Sequence, residues 1–119
     1  MIIVASIDQH TASLAEREPF SFTENEVRKA LEKISKIAGI DGAVLLSTCN
    51  RTELYLSGKS CDATAILCSI RNIDGNLLEQ YQDEAAVHHL MKVACGLCSQ
   101  ILCEDQIITQ VKTSALLAR

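Results

Sequence analysis

The chain has 119 residues, of which 48% are hydrophobic, and this is long and apolar enough for one globular domain with a buried core. The chain contains two tyrosines, two phenylalanines and no tryptophan, and its net charge is −4. This composition argues against an extended nucleic-acid-binding surface. No run approaches the roughly 20 apolar residues of a membrane span, and the start lacks the pattern of a signal peptide. We therefore expect a cytoplasmic protein without a membrane partner.

The first half of the chain predicts a strand followed by a helix. Ile2 to Ile7 is an apolar, partly β-branched run that is typical of a central strand. An irregular segment follows and ends at Pro19. Thr23 to Glu26 has the spacing of a capping box, which indicates the start of a helix, and Gly39 is expected to end it.

The second half predicts two strands, a helix, a fourth strand and then only helix. The two strands are Ala43 to Leu46 and Leu54 to Ser57, and Cys61 to Ile70 is the helix. Residues 77–81 are the fourth strand. This order is that of an α+β fold with a ferredoxin-like antiparallel sheet, β-α-β-β-α-β, and helices on one face.

From residue 83 onwards the apolar spacing is helical. Ala86, Leu90, Val93 and Leu97 share one face of a first helix, and a second helix is expected over about 104–119. The predicted organisation is a ferredoxin-like part over about 1–82 and a helical extension over 83–119. Because the last helix reaches residue 119 without a stop signal, we expect a longer protein.

The connection between the middle strands reads Ser-Thr-Cys-Asn-Arg-Thr-Glu over residues 47–53. A cysteine at a strand end is held by rigid backbone and left accessible, which suits a nucleophile. Thr48 and Asn50 can hydrogen-bond a substrate, while the charge of Arg51 can pair with a carboxylate and favour the thiolate of Cys49. The alternative is a buried structural cysteine at a turn, since free cysteine is commonly buried.

Six cysteines are present, and without a targeting signal we expect them to be reduced. Cys95, Cys98 and Cys103 form a Cys-x2-Cys-x4-Cys pattern that leaves a small metal-binding or redox module as an alternative. Structural zinc usually takes four ligands, so no metal site is predicted. On a helix Cys95 and Cys98 would share a face, as small core residues do.

Residues 47–55 resemble the signature of glutamyl-tRNA reductase, the enzyme that opens the five-carbon route to tetrapyrroles. Two further stretches agree with it in the same order, one over 6–12 and one from 86 to 112. The resemblance implies the N-terminal catalytic domain of an NADPH-dependent oxidoreductase. In this family a cysteine attacks the glutamyl ester of charged tRNA, and the resulting thioester is reduced to glutamate-1-semialdehyde in porphyrin biosynthesis.

The resemblance also implies site residues. Cys49 would be the nucleophile, His89 rather than His88 the histidine that matters for activity, and His10 a neighbour of the cysteine. The substrate-binding residues that it implies lie on the cysteine turn and in the helical segment: Thr48, Asn50, Arg51, Ser99, Glu104, Asp105, Gln106 and Gln110.

The five glycines never approach Gly-x-Gly-x-x-Gly, so the resemblance implies that NADPH is bound by a domain absent from this chain. It further implies glutamyl-tRNA as substrate, a homodimer for the full-length protein and the downstream aminomutase as a partner. The chain departs from the family at Cys98 and Cys103, where an aspartate and a glycine are usual. A non-catalytic regulatory or interaction domain that has lost its pocket is therefore a further alternative.

Overall fold

The computed structural model of the protein describes residues 1–59, 61–73 and 77–96. These residues form four strands, four α-helices and one short 3₁₀ turn over Glu18–Phe20. In chain order the strands and α-helices are β1 (Ile2–Asp8), α1 (Leu14–Arg17), α2 (Glu24–Ser35), β2 (Ile40–Ser47), β3 (Arg51–Gly58), α3 (Ala63–Arg71), β4 (Glu79–Gln82) and α4 (Glu84–Gly96).

The four strands form one antiparallel sheet in the order β2-β3-β1-β4. This is the strand order of a split β-α-β arrangement, so the predicted α+β, ferredoxin-like fold is confirmed. In the register between β1 and β3, Ser6 lies opposite Glu53 and Asp8 lies opposite Arg51. Because side chains alternate along a strand, these two pairs lie on the same face of the sheet.

The other face of the sheet carries the main apolar core. Ile3, Ala5 and Ile7 of β1 pack there against buried residues of α2 and α3, such as Ile34 and Leu67. Helix α4 lies on the face of Ser6 and Glu53, where Ala86 packs against Val4 and Tyr55. Strand β3 is therefore covered on both sides, which explains why seven of its eight residues are buried.

Some local predictions hold and others differ from the structure. Thr23 caps α2 and forms the predicted capping box with Glu26. A second capping box, between Ser13 and Glu16, starts α1 inside the segment that was predicted to be irregular. A helix of only four residues is too short to show an apolar period, which is why the sequence pattern does not reveal it. Helix α2 ends at Ser35, before Gly39.

Helix α4 buries a different stripe from the one predicted. Ala86 and Val93 are buried as expected, but Leu90 is 37% exposed. His89 turns toward the sheet instead, because Glu53 offers its ring a partner there. Leu97 and the helix predicted over 104–119 lie outside the described residues. In the ranges described above, no helix is long and apolar enough to cross a membrane.

An ion pair joins the beginning of α2 to the end of α3. Arg71 of α3 donates to Glu26 Oε2 at 2.9 Å, and its guanidinium lies 3.8 Å from the centre of the Phe22 ring. The hydrogen bond from Arg71, helped by those from Thr23, lowers the pKa of Glu26 from 4.5 to about 2. The carboxylate is thus held in its charged form by α3 and by the capping box together.

We expect the Glu26→Gln variant to show a weaker loss of stability in acid than the wild type. A lowered pKa in the folded state stabilises the fold above the ordinary value of 4.5, and this contribution disappears as the pH falls from 4.5 to about 2. Urea unfolding at pH 6 and at pH 3 measures the difference for both proteins. Equal losses in wild type and variant would contradict the role given to Glu26.

Candidate active site

Cys49 lies in the turn between β2 and β3, and its thiol is free and exposed. The backbone N–H of Thr48 donates to the carbonyl of Arg51 at 2.8 Å and closes the turn. The hydroxyl oxygen of Thr48 accepts from the backbone N–H groups of Asn50 at 3.2 Å and of Arg51 at 3.3 Å. The alternative of a buried structural cysteine is therefore wrong, and the turn presents the thiol to solvent.

The segment that follows β1 lies against this turn. The N–H of Gln9 donates to the carbonyl of Asn50 at 2.9 Å, and Arg51 Nη1 lies 3.9 Å from Asp8 Oδ2. The next residue, His10, is exposed, and its backbone N–H donates to Asp8 Oδ1 at 2.8 Å. The structure thus places His10 in the neighbouring turn, while its role beside the nucleophile stays a prediction.

A fully buried carboxylate, that of Glu53, lies beyond Arg51 on the same face of β3. Ser6 donates to its Oε2 at 2.6 Å, and the Tyr55 hydroxyl donates to its Oε1 at 2.8 Å. Arg51 Nη1 lies 3.5 Å from Oε2, and His89 Nε2 is bound to the same oxygen. A buried charge costs several kcal/mol unless it is paired and hydrogen-bonded, and this one has both kinds of partner.

The surroundings of Glu53 favour its charged form. Burial alone would raise the pKa of Glu53, but the hydrogen bond and charge of His89 and the hydrogen bonds of Ser6 and Tyr55 outweigh it. The net effect lowers the pKa of Glu53 below its ordinary value of 4.5. Burial and the charge of Glu53 raise the pKa of Tyr55 well above 10. Tyr55 therefore remains a neutral hydrogen-bond donor.

Helix α4 brings His89 to this cluster. Its ring stacks on Tyr81 with the centroids 4.7 Å apart and the planes at 23°, which fixes the ring orientation. His88, the adjacent residue, is exposed. The catalytic role of His89 stays a prediction.

Glu53 is the residue of this site that the sequence analysis does not single out, although it lies within the signature over 47–55. A signal was present, because Arg51, Glu53 and Tyr55 alternate along one strand with Thr52, Leu54 and Leu56. A charged residue within a central strand is buried, and buried charges need partners. The pattern does not show the partner of Glu53, because His89 lies 36 residues further along the chain.

Several predicted site residues lie outside the described part of the chain. They are Ser99, Glu104, Asp105, Gln106 and Gln110, and their roles stay predictions. Cys98 and Cys103 of the cysteine pattern also lie outside it. Cys95 is exposed, so the prediction that it is a core residue is wrong. Within residues 1–59, 61–73 and 77–96, no group of three His, Cys, Asp or Glu side chains could hold a metal ion.

A groove of about 440 Å³ opens between α2 and α3, lined by Lys33, Ile37, Ile66, Ile70 and three neighbours. The helices that form it pack on the face of the sheet opposite Glu53. The groove contains none of the predicted site residues, so it is not part of the candidate active site.

A family model described as glutamyl-tRNA(Glu) reductase, N-terminal domain, matches residues 5–119. The chain belongs to this family. Over 126 residues it is 43% identical to the probable multifunctional siroheme biosynthesis protein HemA of Ruminiclostridium josui, covering 99% of this chain and 24% of that protein. It is 41% identical over 128 residues to the glutamyl-tRNA reductase of Acetivibrio thermocellus, covering 99% and 38%.

A solved structure agrees with the sequence comparisons. The glutamyl-tRNA reductase from Methanopyrus kandleri matches with a TM-score of 0.72 and 32% sequence identity, over 98% of this chain and 28% of that chain. The relatives carry the name of an enzyme, and the resemblance of this chain to glutamyl-tRNA reductase is confirmed. The chain spans 24%, 38% and 28% of the length of these three proteins.

We expect Glu53→Ala to destabilise this glutamyl-tRNA reductase domain by about 3–5 kcal/mol, because it leaves the buried Arg51 charge without the nearer of its two carboxylate partners. Ser6→Ala, which removes one hydrogen bond to the same carboxylate, is expected to cost less, about 1.5–3 kcal/mol. Urea unfolding of the 119-residue chain measures both. A loss for Glu53→Ala no larger than that for Ser6→Ala would show that Glu53 is not the centre of the cluster.

Proposed function

We propose that this chain is the catalytic domain of a glutamyl-tRNA reductase and that Cys49 is its nucleophile. The observation that carries the proposal is the exposed, free thiol on a turn that the side chain of Thr48 holds closed. The buried polar cluster of Arg51, Glu53 and His89 begins two residues beyond the thiol and supplies the charges that an acyl-transfer site uses. The substrate is glutamate esterified to its tRNA, as the name of the relatives implies.

In the proposed step, the sulfur of Cys49 forms a bond to the ester carbonyl carbon, and the bond from that carbon to the 3′ oxygen of the tRNA breaks. The thiol loses one proton and the leaving oxygen gains one, so the step needs no oxidant or reductant. We assign the transfer of this proton to His89, since imidazole accepts and releases protons near neutral pH. The product is a glutamyl thioester on Cys49 and a free tRNA.

Arg51 is the proposed partner of the substrate carboxylate. Arg51 is only 8% exposed, and its Nη1 already faces Asp8 and Glu53. Its buried Nε has no hydrogen-bond partner among the described residues. A carboxylate is the acceptor that matches a guanidinium edge, and substrates without one would leave this donor unpaired.

The other substrate contacts are proposed for polar groups around the thiol. The hydroxyl oxygen of Thr48 accepts from two backbone N–H groups and keeps its own proton for donation to a ligand. Asn50 lies next to Cys49 on the same turn. Further contacts are proposed for residues of the helical segment: Ser99, Glu104, Asp105, Gln106 and Gln110.

Reduction of the thioester to glutamate-1-semialdehyde, in tetrapyrrole biosynthesis, needs hydride from NADPH. The residues of this chain do not fit a dinucleotide, because its five glycines are isolated and the turn after β1 reads Asp8-Gln9-His10-Thr11 rather than a glycine-rich turn into a helix. We therefore assign NADPH to another part of the full-length protein. For that protein we propose a cytoplasmic homodimer whose product passes to the aminomutase.

Intact-mass spectrometry after mixing the chain with glutamyl-tRNA tests the proposed function. We expect a glutamyl adduct that hydroxylamine removes, because a thioester is labile to this nucleophile. Cys49→Ser is the matched control, since it keeps the size of the side chain and removes the thiol. It should give no such adduct.

Absence of the adduct on the wild-type chain and on a longer chain that includes the remaining family length would contradict the proposal. That result would instead favour a regulatory or interaction domain that keeps the signature without the chemistry. An adduct on both the wild type and Cys49→Ser would show that another residue is the acyl acceptor.

A further inference from the structure

We propose that Glu53 is a positioning residue for His89, which holds the Nε2 proton of the imidazole and leaves Nδ1 as the nitrogen that exchanges a proton during catalysis. The proposal rests on the proposed function, because it adds a residue to the same site. It goes beyond the residues that the family resemblance implies, since none of those is Glu53.

The position of the Glu53 carboxylate is fixed by the sheet alone. Tyr55, on the same strand, donates to Oε1, and Ser6, directly opposite on β1, donates to Oε2. The first bond lies within β3 and the second joins β3 to β1, so neither needs a contribution from α4. Because the side chain is fully buried, water does not compete for either oxygen. Oε2 is therefore a fixed point on which the imidazole of α4 docks.

The chemistry of the two groups decides which nitrogen is bound and which is free. An ionised carboxylate only accepts hydrogen bonds, so the imidazole nitrogen bound to it must carry the proton. His89 is bound to Glu53 through Nε2, which leaves the lone pair of the neutral ring on Nδ1. When Nδ1 takes a proton, the adjacent carboxylate stabilises the imidazolium that forms. The stack on Tyr81 keeps the ring plane in one orientation.

The same oxygen also connects the histidine to the turn that carries the nucleophile. Arg51 Nη1 lies 3.5 Å from Glu53 Oε2 and 3.9 Å from Asp8 Oδ2. Arg51 is two residues from Cys49, and its carbonyl closes the turn. Glu53 thus sets the position of His89 relative to the cysteine turn, although it is itself too deeply buried to touch a substrate.

A purely structural role, in which Glu53 only neutralises Arg51, predicts a loss of stability and no change in the protonation pattern of His89. The tautomer of His89 is therefore the measurement that separates the two roles. Long-range ¹H–¹⁵N spectra of the ¹⁵N-labelled chain identify which ring nitrogen carries the proton. Glu53→Gln is the test variant, because its amide keeps the size of the side chain but offers both a donor and an acceptor and so no longer dictates the tautomer.

For the wild type we expect a single neutral tautomer of His89 with the proton on Nε2. In Glu53→Gln we expect this preference to be lost and the rate of thioester formation from glutamyl-tRNA to fall at least about tenfold. His88→Gln is the matched control, since it replaces the exposed histidine next to His89 on α4 and leaves the contact between His89 and Glu53 in place. It should keep the wild-type tautomer and a rate within about threefold of the wild type.

Three results would overturn the proposal. One is a wild-type His89 protonated on Nδ1, which needs no variant and so tests the proposal even if Glu53→Gln does not fold. The second is an unchanged tautomer in Glu53→Gln, whatever its rate, and the third is a changed tautomer with an unchanged rate. Absence of the thioester on both the wild-type chain and the longer chain would contradict the proposed function, while the tautomer of His89 would still test the contact with Glu53.

Discussion

The buried charge of Glu53 is the constraint on which the arrangement of this domain depends. A carboxylate removed from water is tolerated only where donors and positive charges surround it, and here they come from β1, β3 and α4. Ser6 and Tyr55 hold the Glu53 carboxylate in place within the sheet. Arg51 contributes a positive charge on the side of the cysteine turn, and His89 connects the carboxylate to α4. One side chain thus joins the last described helix to the strand that begins beside the candidate nucleophile.

The two faces of the sheet are stabilised by different kinds of contact. One face, covered by α2 and α3, is an aliphatic core around residues such as Ile7 and Leu54, and burial of this kind supplies most of the stability of a small domain. The other face carries the polar cluster under α4, whose stability depends on matched partners rather than on buried area. Because Glu53 holds this cluster together and also contacts His89, stability and the proposed chemistry depend on the same residue.

The sequence predicts features that depend on neighbours in the chain and misses those that depend on distant partners. The capping box at Thr23 and the strand order follow from local pattern and are confirmed. Leu90 was predicted to be buried from its hydrophobicity, but the side of α4 that faces the sheet is set by the bond between His89 and Glu53. That bond spans 36 residues, so no periodicity contains it. For Cys49 the sequence left an accessible nucleophile and a buried structural cysteine open, and the structure decides for the exposed thiol.

The carboxyl ¹³C chemical shift of Glu53, followed from pH 7 down to pH 3, tests most directly whether this side chain is the buried anion around which the cluster is built. The donors from His89, Ser6 and Tyr55 predict that the pKa of Glu53 lies below its ordinary value of 4.5, so the carboxylate should be the major form at pH 4.5. A midpoint above 4.5 would show that burial outweighs the donors. Glu53 would then be protonated over part of that range, and in this neutral form it could neither fix the tautomer of His89 nor neutralise Arg51.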